Sequence, residues 1–196
     1  MRAWLWLTTG MVTKQWVAIH RKHHQMCEKS GDPHSPHVYG IWRVLFGGAG
    51  LYHLASKDRA MVDAYGVGTP TDWVEQNIYS AYSRLGIGIL LVFNLIVFGW
   101  IGAVIWIIQM LWIPFWAAGV VNGIGHWWGY RNTNTKDHSK NICFFGIVIG
   151  GEEFHNNHHA EPANPKLSRR WFEFDIGWMW FRILNKLSLA NERYKC

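Results

Sequence analysis

The segments "HRKHH" (His20, His23, His24) and "HNNHH" (His155, His158, His159) share one spacing, HxxHH. On a helix, positions i, i+3 and i+4 lie on one side, so each segment can turn three imidazoles toward one place. Neutral imidazole is a good ligand for iron, zinc, copper or nickel. Two such faces could surround two metal ions. A pair of basic, solvated helix faces would also carry histidines, but it gives no reason for the spacing to repeat. A third stretch, "NGIGHWWGYRN", sets Asn122 and His126 four residues apart, again on one helical face. By itself His126 beside Trp127 and Trp128 reads as an interfacial anchor. Beside two HxxHH segments it reads as a further ligand, since polar residues at a membrane border often mark function. Seven histidines are too many for a zinc hydrolase, which needs about three protein ligands and a water.

These histidines need elements to hold them, and the sequence points to membrane helices. The chain has 196 residues, enough for one domain, and a formal net charge of +6. That charge alone would allow either nucleic acid or an anionic membrane as partner. Residues 85–130 contain no Asp, Glu, Lys or Arg, which favours the membrane and argues against nucleic acid. Two apolar stretches, 84–100 and 101–121, each approach the roughly 20 residues that one bilayer crossing needs. A tight turn at Gly99 to Gly102 would make them a transmembrane hairpin, with Pro114 kinking its second arm. The hairpin puts all nineteen Lys and Arg on one side, nine up to Arg84 and ten from Arg131 onward. By the positive-inside rule that side, with the histidines, is cytoplasmic. Fourteen tryptophans suit a membrane boundary. Cys27, Cys143 and Cys196 have no CxxC spacing and describe no disulfide framework, which fits a reducing compartment.

The expected fold class is therefore all-α. One domain over residues 1–196 is expected, with a hairpin at about 84–121 and histidine-bearing regions at 14–83 and 122–196. Residues 3–19 lack a small-residue cleavage site and run straight into a histidine segment. They read as an amphipathic helix on the membrane or the protein surface, not as a signal peptide. "GDPHSP" is turn chemistry, and Thr71 or Asp72 can cap a helix that follows.

"HRKHH…DPHSP", "NGIGHWWGYRN" and "GEEFHNNHH" resemble the second histidine box, the asparagine–histidine element and the third box of the integral-membrane fatty acid desaturases. The likeness is greatest to bacterial members of the acyl-CoA, stearoyl-type delta-9 branch, and it extends to "EFDIGW" at 173–178. The resemblance implies two iron ions held by His20, His23, His24, His126, His155, His158 and His159, with Asn122 holding a metal-bound water. It implies an oxidoreductase that reduces O2 and removes two hydrogens from a CH2–CH2 unit of a fatty acyl chain, leaving a cis double bond. The substrate would be an ester of CoA, a carrier protein or a lipid. Electrons would come from an external ferredoxin-, rubredoxin- or cytochrome-type donor, because no such segment is fused to the chain. The location implied is an integral membrane one, in a bacterial inner membrane surrounded by lipid.

The family pattern also carries a first box, HxxxxH, and two earlier crossings. Residues 1–19 contain no histidine and look like the stretch that follows that box, so a truncated record is the plainest expectation. A membrane di-iron hydroxylase is the enzymatic alternative. An inactive or partner-dependent metal-binding membrane fragment is the non-enzymatic one. His34, His37, His53 and His138 have no partner at ligand spacing and read as ordinary turn or surface residues. Asp32, Glu152, Glu153 and Asp175 are open to two readings, as acceptors for ligating imidazoles or as solvated carboxylates. The tryptophans and glycines near 106–129 are candidates for an acyl tunnel or for helix packing.

Overall fold

A computed structural model describes residues 2–190. Cys196, Arg193 and Lys195 lie outside the described residues.

The first helical segment is split. Helix α1 spans Arg2–Thr9 and α2 spans Thr13–Met26. The expectation of one helix over 3–19 is thus corrected. Gly10 takes φ +63°, and Thr8 and Thr9 spend their hydroxyls on the carbonyls of Trp4 and Leu5. The bend lets α1 lie along the later apolar helix α6 (Ser83–Phe98) while α2 carries His20, His23 and His24 inward. Trp6 Nε1 donates to the Tyr82 carbonyl at 3.0 Å and fixes that contact.

Between these lie α3 (Pro36–Tyr39), α4 (Ile41–Ser56), α5 (Arg59–Tyr65) and a π-helical segment, Glu75–Tyr79. Ala18 and Ile19 of α2 pack with Met61 and Val62 of α5 in a small apolar core closed by Tyr52, Ala55 and Tyr65. Asp72 is the cap the sequence offers, since its Oδ1 accepts the Glu75 N–H at 3.2 Å.

Helix α6 turns back at Gly99, whose φ of 59° is one that glycine adopts without steric cost. Helix α7 follows over Trp100–Ile113, continues as a π-helical segment at Pro114–Val121 and ends in α8, Asn122–Ile124. Proline lacks the N–H that an α-helical ladder needs, and the hydrogen-bond register changes where it stands. The two arms pack directly. Asn94 Nδ2 donates to Gln109 Oε1 at 3.2 Å, and Trp106 Nε1 donates to the Ile87 carbonyl at 2.8 Å.

The two expected apolar arms form a helical hairpin, but they differ in length. Only one helix among the described residues, Trp100–Ile124 with 25 residues, is long and apolar enough to cross a membrane. Just 17% of its most apolar window is buried, unlike a core helix of a soluble protein. Ser83–Phe98 has 16 residues, or about 24 Å of helix, against a hydrocarbon core of about 30 Å.

Helix α4 crosses the Pro114–Val121 segment at a glycine pair. A Cβ on Gly48 would strike the backbone of Ala118, and one on Gly119 would strike the Leu45 carbonyl. We expect Gly48→Val to force these helices apart and destabilise the protein by about 3 kcal/mol, read as a lower thermal midpoint in lipid nanodiscs.

The remaining elements are α9 (His155–Ala160), α10 (Ile176–Lys186) and two short strands, β1 (Phe145–Gly146) and β2 (Phe174–Asp175). The strands pair in parallel, an addition of two residues from each strand to the all-α architecture expected from the sequence.

Candidate metal centre

All seven histidines meet in one place, and they divide into two groups. His23, His126, His155 and His159 bring one nitrogen each to within 4.8 Å of one another, and all four are buried. His20, His24 and His158 do the same beside them. The expectation that each HxxHH segment turns its three imidazoles toward one place is corrected. Each segment is shared between the groups, two to one. On α2, His20 and His24 go together and His23 turns to the other group. On α9, His155 and His159 go together and His158 crosses over. The cause is helix geometry, because i and i+4 are about 40° apart around the axis whereas i+3 and i+4 differ by about 100°.

The contacts are those of converging ligand atoms. In the three-histidine group, Nε2 of His24 lies 3.2 Å from that of His20 and 2.9 Å from that of His158. His158 and His20 close the triangle at 3.1 Å. In the four-histidine group, His126 Nε2 lies 3.1 Å from His23 Nε2 and 2.9 Å from His155 Nε2. Donors about 2.0–2.1 Å from one cation, at mutual angles near 90°, stand about 3 Å apart. Hydrogen bonding does not account for the triangle. Each neutral ring has one N–H, which points at one neighbour, so at least one of the three contacts sets like against like.

Carboxylates fix which nitrogen is free. His23 Nδ1 donates to Asp32 at 2.9 and 3.0 Å, His126 Nδ1 to Glu28 at 3.1 Å, and His159 Nδ1 to Asp137 at 2.9 Å. A ring that donates from Nδ1 presents a lone pair at Nε2, which is how ligating histidines are usually held. His159 Nε2 is buried with no hydrogen-bond partner. The donor set therefore fits a bound metal, with buried lone pairs aimed at common points.

Electrostatics agree. Burial, and then the neighbouring imidazoles, lowers the pKa of His20 to about 2, of His158 to about 3 and of His24 to about 4. Burial lowers that of His159 to about 4 although Asp137 opposes it. His23 and His155 are lowered well below the usual value by burial. These rings are neutral at pH 7 and free to ligate. An unfolded chain with histidines near pH 6.5 binds protons that the folded chain refuses. Stability is therefore complete above about pH 6.5 and falls on acidification toward pH 4. We expect the metal-free protein to lose at least about 1.4 kcal/mol per pH unit in that window, measured as the thermal midpoint against pH.

Helix α9 has only six residues and owes its position to its asparagines. Asn156 Oδ1 accepts the N–H groups of Asn132 and Thr133, both at 2.9 Å. Asn157 Nδ2 donates to the Leu167 carbonyl at 2.8 Å. Both are fully buried, as is Phe154 just ahead of the helix.

Several side chains have roles other than those expected. Of the four carboxylates open to two readings, Asp32 holds a ligand-type histidine. Glu153 instead accepts the N–H groups of Val148, Ile149 and Gly151, and Asp175 those of Leu167, Ser168 and Trp178. Glu152 lines the cavity described below, and burial followed by the charges of Glu153 and Asp175 raises its pKa to about 7. Glu28 and Asp137 escaped the sequence reading. Glu28 follows His24 by four residues but bonds His126, so that spacing gave no signal of its role. Asp137 comes from a loop and carries none. Replacing Asp137 by Asn should weaken metal binding about 10–100-fold, measured by competition with a chelator of known affinity.

The plain reading of the outlying histidines holds for the exposed His37, His53 and His138 and is corrected for His34. His34 is buried, its ring 4.3 Å from that of His23, and its Nε2 has no partner. His37 Nε2 donates to the His126 carbonyl at 3.0 Å, and His138 bonds Glu28. His53 is exposed on the cavity wall. Asn122 makes no hydrogen bond to any of the seven histidines. Its Nδ2 donates to the Ala118 carbonyl at 3.3 Å, and it lines the cavity.

That cavity, about 350 Å³, runs from the α1–α2 bend to His20, His34 and His155. Met11, Ile19, Ile113, Ala117 and Val121 give it an apolar wall. The tryptophans and glycines of 106–129 are absent from that wall. Trp16 is the tryptophan that lines it, stacked on His20 at 4.9 Å. Trp106 and Gly119 pack helices instead.

A helical chain with one membrane-length helix and a cluster of seven histidines, five of them buried, is a candidate membrane metalloprotein. Comparison with known proteins narrows this. The fatty acid desaturase family profile matches residues 1–176. The chain is 30% identical over 183 residues to sn-1 stearoyl-lipid 9-desaturase of Anabaena variabilis, covering 90% of this chain and 63% of that protein. It is 31% identical over 193 residues to Delta-9 desaturase-like 3 protein of Arabidopsis thaliana, covering 90% and 58%. A Synechocystis sn-1 stearoyl-lipid 9-desaturase is 30% identical over 182 residues, covering 91% and 54%. The chain belongs to the fatty acid desaturase family, a family of oxidoreductases. It spans about half to three-fifths of the length of the curated relatives it matches.

Proposed function

We propose that this chain carries the metal centre and part of the acyl site of an O2-dependent membrane desaturase that places a cis double bond in a saturated acyl chain. The observation that carries the reading is the division of seven histidines, five of them buried, into converging groups of four and three, beside an apolar cavity. His23, His126, His155 and His159 would hold one iron, and His20, His24 and His158 the other. Asn122, on the cavity wall, would reach its metal through a water. When bound, the irons supply the oxidising power, drawn from O2, that breaks unactivated C–H bonds.

The protein's part is to bind, orient and exclude. The cavity accepts a flexible apolar chain, and Ala117 and Ala118 leave room where larger side chains would block it. Burial of the four-histidine group keeps water from the reacting carbons. Asp32, Glu28 and Asp137 keep the ligand nitrogens unprotonated toward the centre. The relatives' names favour a lipid-linked acyl group over a CoA ester. Trp100–Ile124 would cross the membrane with α6 beside it, and the histidine regions would face the cytoplasm of a bacterial cell.

The test is product analysis after incubation with stearoyl lipid, O2, a ferredoxin and its reductase. Loss of about two mass units from the acyl chain supports desaturation, whereas a gain of about sixteen marks a hydroxylase. An unchanged acyl chain with both metals bound contradicts the proposal.

A further inference from the structure

Of the three carboxylates that orient histidines, Glu28 alone is bonded to an exposed side chain. Asp32 spends its remaining capacity on the N–H groups of Glu28 and His34, and Asp137 on Thr135 and Ser139. Glu28 reaches outward instead. Its Oε1 accepts the His138 backbone N–H at 2.8 Å and its Oε2 meets His138 Nδ1. The His138 side chain is 64% exposed, whereas that of Glu28 is 9% exposed. A continuous line of contacts thus runs from solvent through His138, Glu28 and His126 to His23 and His155.

The line is built at a cost. Glu28 follows the end of α2 with φ at 63°, a left-handed conformation where glycine is usual and a glutamate is strained. Strain at a non-glycine residue persists only where the surroundings impose it, and it clusters at functional sites. The outer end is also shaped. The His37 ring packs 4.6 Å from that of His138 and 5.5 Å from the half-exposed Trp127. Lys29 and Lys136 are exposed beside Glu28 and His138 in the chain, and Lys140 is half-buried.

We propose that the His138–Trp127 surface, flanked by Lys29 and Lys136, docks an acidic one-electron carrier protein, and that His138, Glu28 and His126 form the path by which its electrons reach the centre. This rests on the function proposed above. Its balance requires the carrier. One CH2–CH2 unit, one O2, two electrons and two protons give one CH=CH and two waters. The substrate supplies two of the four electrons that O2 takes, and two arrive from outside. None of the three path residues is itself oxidised, and their hydrogen bonds provide the contact. Basic residues at the rim match an acidic partner and speed its encounter at low salt.

A plant-type [2Fe–2S] ferredoxin is the probe, with the protein in phosphatidylcholine nanodiscs. Its binding is measured on the metal-free and iron-loaded protein at low and high salt, and reduction of the loaded protein is followed by stopped flow. Lys29→Glu with Lys136→Glu should weaken ferredoxin binding at least tenfold at low salt and flatten the salt dependence. At saturating ferredoxin, His138→Phe should lower the ratio of ferredoxin-driven to dithionite-driven reduction at least tenfold. Unchanged binding in the lysine variant together with an unchanged ratio in the histidine variant overturns the proposal. So does a lysine variant that loses only its affinity for anionic vesicles, which would mark a lipid-contact surface. A loaded protein that dithionite itself leaves unreduced sinks the underlying functional reading instead.

Discussion

Replacing His126 by alanine should lower bound iron from two per chain to one and cut desaturation at least about a thousandfold. His126 stands between His23 and His155, with Nε2 contacts of 3.1 and 2.9 Å. Cys27 Sγ lies on its Nδ1 side at 3.9 Å, away from the Nε2 that meets the other rings. Three buried lone pairs would remain around a larger space, with Glu28 left without its buried donor. Groups that act as a unit lose nearly everything when one member goes, which sets the thousandfold scale. Metal content and product yield on the same preparation check the prediction. Two irons in the variant would show that His126 is no ligand.

Stripping the metal should destabilise the whole helical assembly, the second large effect. The four-histidine group joins α2, the turn that follows the long apolar helix, and α9. Without a cation its lone pairs face one another in a buried space. Binding at a thousandfold excess over Kd contributes about 4 kcal/mol. For a chain of this size that shifts the thermal midpoint by about 8–16 °C. Chelation should lower the midpoint by that amount, and ferrous iron should restore it. Equal midpoints with and without metal would mean that the histidines pack stably by themselves.

The seven histidines were legible because their spacing is a local, helical property. His20, His23 and His24 share one helix, and i, i+3, i+4 geometry follows from the backbone alone. Their division into four and three was not legible, because it depends on how α2 and α9 face each other. The same limit hid Asp137, whose loop reaches His159 across 22 residues, and His34, whose burial against His23 follows from the Asp32 turn. The hairpin was legible from its uncharged length. The end of α6 at Phe98 and the shift to π-helical bonding at Pro114 set lengths that hydropathy blurs. The cavity wall was misassigned because tryptophans near a membrane border serve packing and anchoring as readily as they line a tunnel. Trp106 is the example, its indole N–H spent on the Ile87 carbonyl.

The most direct measurement is an anomalous difference map at the iron edge from crystals of the iron-loaded protein. Two peaks are predicted, one among the Nε2 atoms of His23, His126, His155 and His159 and the other among those of His20, His24 and His158. A single peak, or none at these histidines, would contradict the two-metal centre on which the functional reading stands.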